Sequence, residues 1–94
     1  MTSKDRAYLK GLANSIEPIF QVGKSGISDN LTKQVDDALE ARELIKITVL
    51  ETSPAFAKET AEKLANNTNS EVVQIIGKKI TLYRKREKDS KINI

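Results

Sequence analysis

The last part of the sequence encodes a β-hairpin, which requires the chain to build a sheet. Residues 71–85, EVVQIIGKKITLYRK, contain two alternating apolar segments on either side of Gly77 and Lys78. Glycine in the first position of a two-residue loop is typical of a type II′ turn between antiparallel strands. The apolar pairs should pack against helices, and the side with Tyr83 and Lys79 should be wetter. Counting outward from the turn predicts these cross-strand pairs: Ile75 with Ile80, Gln74 with Thr81, Val73 with Leu82, and Val72 with Tyr83.

Helix and strand patterns alternate upstream of the hairpin. A capping box at Thr2 opens an apolar-periodic helix, and Pro18 ends it before the short strand IFQV. Ser28 is the N-cap of a second helix, and the alternating segment LIKITVL forms the next strand. Ser53 and Pro54 then predict the start of a third helix, with serine as its cap and proline in its first position. The element order is therefore α-β-α-β-α-β-β.

This order of elements predicts a single domain with one modest core in a chain of 94 residues. The class is α/β, as an α+β two-layer sandwich in which helices cover a face of a four-stranded mixed sheet. Strand–helix–strand units with parallel strands should cross over right-handed. Residues 1–86 should form the domain. Residues 87–94 show no clear periodic spacing of apolar residues and are expected to be a flexible C-terminal tail.

The absence of cysteine and histidine removes most catalytic and metal-binding chemistry. The sequence offers no disulfide, no thiolate nucleophile, no zinc site of the Cys/His kind and no histidine acid–base catalyst. The carboxylates, lysines and tyrosines fall into no catalytic signature, so we expect no enzyme activity, no catalytic or metal-binding residues and no cofactor. The charged N-terminal residues and the lack of a long apolar run predict a cytoplasmic protein without a membrane segment.

Positive charge is concentrated near the C-terminal end, although the net charge is only +3. Residues 72–86 contain no acid, and such asymmetry favours a polyanion-binding face, although many solvated surfaces look similar. Two interpretations of these residues stay open: the lysines either contact phosphates or keep a hairpin tip soluble, and Tyr83 either stacks on a base or packs. The basic residues of this segment are Lys78, Lys79, Arg84, Lys85 and Arg86.

The segment QVGKSGIS, residues 21–28, resembles part of a nucleotide-binding phosphate loop but lacks its first glycine. The required position holds Pro18, which has a fixed φ and no N–H, and this argues against a nucleotide-dependent enzyme. The remaining Gly23-Lys24-Ser25-Gly26 turn brings the backbone close to a ligand and leads into a helix whose first N–H groups can accept a phosphate. The alternative is a plain glycine turn with a solvated Lys24.

The stretches LKGLANSIEPIFQVGKSGIS, ALEARELIKITVL and VVQIIGKKITLYR together resemble the CRM domain family, the YhbY-like RNA-binding proteins. They run in the order of the family and cover nearly the whole chain up to Arg86. The resemblance implies a fold similar to the C-terminal domain of bacterial translation initiation factor three. It also implies RNA binding by a cytoplasmic protein that associates with precursors of the large ribosomal subunit.

Carried over by position, the resemblance implies an RNA-binding site made of the GxxG loop and nearby basic residues. Family members often have histidine where this chain has Asn14, Ala41 and Arg42, so any contact made by those histidines is not expected here. The implied site residues are Gly23, Lys24, Ser25, Gly26, Lys46, Lys78, Lys79 and Arg84.

We therefore expect a monomeric protein that binds ribosomal RNA, with no membrane or small-molecule partner. Specificity should come from RNA shape more than from base reading, because aromatic residues are only 4% of the chain. The alternative is a protein-interaction module that binds a ribosomal protein in the same particles. An exposed apolar patch around Ile19 and Leu50 would favour that alternative.

Overall fold

The structure is a computed structural model that describes residues 1–92 and residue 94. The elements are α1 (Ser3–Ala13), β1 (Pro18–Val22), α2 (Asp29–Arg42), β2 (Leu44–Val49), α3 (Ala57–Thr68), β3 (Glu71–Ile76) and β4 (Lys79–Tyr83). The sheet order is β1-β2-β4-β3, with β1 parallel to β2 and the other neighbours antiparallel. The predicted element order, the α+β class and the four-stranded mixed sheet are confirmed.

The main core lies between the sheet and the pair of helices α2 and α3. Every second residue of β2 points to this face, because side chains alternate along a strand. Fully burying an aliphatic side chain of this kind contributes about 1.5–3 kcal/mol. The buried side chains of this core include Val35 and Leu39 of α2, Ile45, Ile47 and Val49 of β2, Ala61 and Leu64 of α3, and Ile80 and Leu82 of β4.

Helix α1 lies on the opposite face of the sheet, so the arrangement departs from a strict two-layer sandwich. Leu44 alternates with the core residue Ile45, and its side chain therefore points to the other face, where the apolar side of α1 packs. Tyr83 lies in the same cluster and is only 6% exposed. The face expected to be more exposed to solvent is therefore buried at this position. The buried members of this second cluster are Leu9, Ala13, Leu44, Val73, Tyr83 and Ile92.

The hairpin contains a β-bulge that the predicted register missed. The pairs of Ile75 with Ile80 and of Gln74 with Thr81 are confirmed, but the register then shifts between Val72 and Gln74. Val72 pairs with Leu82, and Glu71 pairs with Tyr83, so the last two predicted pairs are wrong. A bulge leaves carbonyls that the partner strand does not take up. Here Arg6 of α1 donates to the carbonyls of Val72 and Val73, at 2.7 and 2.8 Å.

Helix α3 begins at Ala57 and not at the predicted Ser53-Pro54. Its N-cap is Phe56, whose side chain makes no capping hydrogen bond. The hydroxyl of Ser53 forms a local turn instead, because it donates to the carbonyl of Ala55 and accepts from the N–H of the same residue. Residues 50–56 are therefore a loop.

Part of the segment 87–94, for which the sequence predicts a flexible tail, contacts the domain in this structure. The contact is made through Glu43, a residue that is 1% exposed and whose carboxylate must find hydrogen-bond donors. It accepts from the hydroxyl of Ser90 at 2.7 Å, from the N–H of Lys91 at 2.6 Å and from the N–H of Arg86 at 3.3 Å. Ile92 then reaches the second cluster.

Glu43 should carry a measurable part of the stability. Replacing Glu43→Gln sets an amide group against backbone N–H donors, and a lost hydrogen bond at a buried charge costs about 1–3 kcal/mol. We expect the melting temperature to fall by about 4–8 °C for each kcal/mol. Glu87→Gln is the matched control, because Glu87 is exposed in the same segment.

The effect of Glu43 should also depend on pH. Burial raises the pKa of Glu43, but the hydrogen bonds from Ser90, Lys91 and Arg86 outweigh burial and bring the pKa below its ordinary value of 4.5. A lowered pKa stabilises the folded protein above the unfolded value, and this stabilisation is lost as pH falls through the folded pKa. The difference in unfolding free energy between parent and Glu43→Gln should shrink on acidification below pH 4.5, and a constant difference would contradict this account.

Candidate nucleic-acid interface

Three connecting segments meet at one edge of the sheet. The parallel strands β1 and β2 end side by side, with Val22 opposite Val49. Strand β4 begins at the same edge, with Lys79 opposite Thr48. The turn after β1, the loop after β2 and the hairpin before β4 therefore lie within about 10 Å of one another, across two strand spacings. We term these segments, residues 23–28, 50–56 and 77–79, the loop edge.

The GxxG turn exposes Lys24 and Ser25 at its tip. The N–H of Gly26 donates to the carbonyl of Gly23 at 2.9 Å and closes the turn. Gly26 has a φ of 65°, and a Cβ added there would lie 3.0 Å from the Cγ of Pro54. At Gly23 an added Cβ would make only ordinary contacts, with the nearest atom of Leu50 at 3.5 Å. Glycine is therefore required at position 26 both by conformation and by space.

The start of α2 leaves backbone N–H groups open to solvent behind this turn. The hydroxyl of Ser28 accepts from the N–H of Leu31 at 3.0 Å and caps the helix. The amides of Asp29 and Asn30 have no acceptor among residues 1–92 and 94, and both residues are exposed. The positive end of the helix dipole can therefore accept an anion, although the carboxylate of Asp29 competes for it.

Three lysines give the loop edge its positive charge. Lys24 and Lys79 are exposed, and neither ammonium group pairs with an acid in the described part of the chain. Lys78 is paired with Glu51 at 2.5 Å, and both side chains are exposed. The hydrogen bond from Lys78, together with its charge, lowers the pKa of Glu51. Glu51 therefore stays ionised and keeps Lys78 in an ion pair.

Lys46 lies on the open part of the face that carries α1. Its ammonium group donates to the carbonyl of Ile16 at 3.2 Å. Thr48 is two residues further along β2 and pairs with Lys79, so the side chains of Lys46 and Lys79 point to the same face. A shallow cavity of about 210 Å³ lies between them and is lined also by Asn14, Gln74, Ile76 and Thr81.

The structure places Arg84 at the opposite edge of the sheet, away from the other predicted site residues. Its guanidinium donates to the carboxylate and the carbonyl of Asp36, at 2.5 and 3.0 Å, and to the carbonyl of Thr68 at 2.7 Å. These contacts tie α2 to the C-terminal end of α3. Arg84 therefore has a structural explanation that its position beside other basic residues in the sequence did not reveal.

Phe56 is a feature of the loop edge that sequence reasoning missed. Its side chain is 82% exposed, whereas the expected apolar patch residue Ile19 packs against the main core. Phe56, Leu50 and Ile75 line a groove of about 440 Å³. The aromatic residue directly after Ser-Pro-Ala could have indicated an exposed ring here, but the Ser-Pro pattern predicts that this segment is already helical.

Comparison with known proteins identifies the family of the chain. Residues 1–84 match the CRS1/YhbY (CRM) domain. The chain belongs to this family. It is 42% identical over its whole length to Probable RNA-binding protein YqeI of Bacillus subtilis, covering 98% of that protein. It is 29% identical, again over its whole length, to a Haemophilus influenzae relative named RNA-binding protein, of which it covers 94%.

A solved relative of this CRM domain has the same fold. The solution structure of a Staphylococcus aureus protein superimposes with a TM-score of 0.83, at 48% identity, and covers all of this chain and 98% of the other. Within the described residues of this CRM domain, no helix has the length and apolar character needed to cross a bilayer. The same residues contain no group of three or more acidic, cysteine or histidine side chains suited to a metal ion.

The two glycines of the turn should respond differently to substitution. Gly26→Ala forces a side chain into the left-handed region and against Pro54, which should cost about 1–2 kcal/mol or more. Gly23→Ala is the matched control and should change stability by less than about 1 kcal/mol, because its φ lies outside that region. Chemical denaturation of both variants measures the difference, and equal effects would contradict the geometry of the turn.

Proposed function

We propose that this CRM domain binds RNA and that its target is ribosomal RNA in precursors of the large ribosomal subunit. In this proposal it acts in the cytoplasm as a monomer, with no cofactor and no catalytic activity. The observation that carries the proposal is the exposed GxxG turn, with Lys24 at its tip and open amides of α2 behind it. The names of the Bacillus subtilis and Haemophilus influenzae relatives support RNA as the ligand.

The sugar–phosphate chain docks on the turn in this proposal. Gly23 and Gly26 keep side chains away from the backbone, so a phosphate can reach the N–H groups at the start of α2. The helix end contributes only about 0.3–1 kcal/mol at an exposed site. The turn therefore needs neighbouring cations to hold RNA.

Lys24, Lys79 and Lys46 supply those cations along one continuous path. Lys24 meets the phosphate at the turn, and Lys79 lies across the loop edge where β4 begins. Lys46 extends the positive charge along the open face. Its ammonium group contacts only the neutral carbonyl of Ile16, and no acid among the described residues pairs with it. Such contacts position an RNA backbone without reading its sequence.

Removing the charge of Lys24 should weaken RNA binding. With purified large-subunit ribosomal RNA as the probe, we expect Lys24→Ala to lower the affinity several-fold. The slope of log affinity against log salt should become shallower by about 0.7–1 unit, because one phosphate contact is lost. Filter binding over a range of salt concentrations measures both quantities.

Lys88→Ala is the matched control for this experiment. It removes the same charge from an exposed lysine at the opposite edge of the sheet, beside Asp36 and Glu40. It should leave the salt slope unchanged. If the two variants reduced affinity and slope equally, net charge rather than the GxxG turn would explain the binding.

Neutralising Glu51 should strengthen RNA binding. Glu51→Gln releases Lys78 from its ion pair, so the affinity should rise and the salt slope should steepen by up to about 0.7–1 unit. Glu71→Gln changes the charge equally but lies opposite Tyr83 at the far end of the sheet, and it should not steepen the slope. A steeper slope in both variants, or in neither, would contradict a role for Lys78.

A further inference from the structure

Phe56 presents an aromatic ring to solvent from a fixed position. The chain contains two phenylalanines and two tyrosines, and Phe56 is 82% exposed, whereas Tyr83 is buried. The backbone of Phe56 is held by the start of α3, because its carbonyl accepts from the N–H of Thr60 at 3.0 Å. The backbone that carries the ring is therefore held at a helix start.

The groove beside Phe56 combines apolar walls with charged side chains. Its apolar lining includes Leu50, Phe56 and Ile75. Its charged lining is Lys58, Lys78 and Glu51, of which Lys78 and Glu51 pair with each other, and Lys58 has no acidic partner among the described residues. Its volume of about 440 Å³ lies in the range of sites that take small flat molecules. A flat ring attached to an anionic chain complements this combination of surface and charge.

The groove and the GxxG turn share a wall. The Cδ1 atom of Leu50 lies 3.5 Å from the position of a Cβ added to Gly23, and Leu50 also lines the groove. Pro54 packs against Gly26 in the same way, and Phe56 follows two residues later. A chain held by its phosphate at the turn therefore passes next to the aromatic ring.

We infer that this groove is a stacking site for an unpaired nucleobase of a single-stranded RNA segment. The inference rests on the proposed function and deepens it: the GxxG turn holds the backbone, and Phe56 holds one base beside it. Stacking on an aromatic ring tolerates every base but requires that the base be unpaired. The site would therefore add a preference for single strands to the recognition of RNA shape.

Replacing Phe56 tests the inference with short RNA probes. Fluorescence anisotropy with a labelled 12-nucleotide single strand should show a loss of about 5- to 150-fold for Phe56→Ala, the range measured for one base stack. Binding of the corresponding duplex should change less than about two-fold. The salt slope should not change, because no charge is removed. Tyr8→Ala is the matched control, because Tyr8 is also exposed but belongs to α1.

A second variant gives a direct signal for stacking. The chain has no tryptophan, so Phe56→Trp introduces a single tryptophan at the groove, which can be excited separately from the two tyrosines. This variant should bind as tightly as the parent, and its fluorescence should be quenched by the single strand and not by the duplex.

The outcomes separate this inference from the proposed function. If Lys24→Ala weakens binding and Phe56→Ala does not, the stacking site is wrong and the RNA-binding turn stands. If neither substitution has an effect, the proposed function fails as well. If Phe56→Ala leaves single-strand binding intact but abolishes capture of a ribosomal protein after ribonuclease treatment, the groove is a protein-docking surface and the inference is overturned.

Discussion

The pairing of β2 between β1 and β4 is the interaction on which the rest of the structure depends. It is parallel on one side and antiparallel on the other, so the segments after β1 and β2 and the hairpin before β4 meet at one edge. The alternation of β2 also sends Ile45 to the main core and Leu44 to the cluster beneath α1. A slip of one residue would exchange these faces and separate Lys46 from Lys79.

Features determined by neighbouring residues could be predicted from the sequence, and features determined by distant contacts could not. The capping box at Thr2, the N-cap at Ser28 and the loop at Gly77 all depend on residues within a few positions. The bulge beside Val73 depends on Arg6, more than sixty positions away. The packing of the C-terminal segment depends in the same way on Glu43.

The candidate site also contains both kinds of feature, some determined by neighbouring residues and some by distant contacts. The GxxG turn is a local motif, and its tip is exposed as the sequence suggested. Arg84 and Lys78 have acidic partners that are distant in sequence, and Phe56 lies exposed at the N-cap of α3 and not within the helix. Charge and composition could not distinguish a lysine that is free from one that is paired. The loop edge thus combines one predictable local turn with an ion pair and an aromatic groove, and only the fold brings these three features together.

The most direct test of the central claim is an amide NMR titration of the labelled protein with a fragment of large-subunit ribosomal RNA. The account predicts shifts concentrated at residues 23–30 and 77–79, with little change around Arg84 and residues 87–92. These groups of amides lie at opposite edges of the sheet, so the two patterns are easily distinguished. Shifts confined to the edge that carries Arg84, with the amides of the GxxG turn unmoved, would contradict the account.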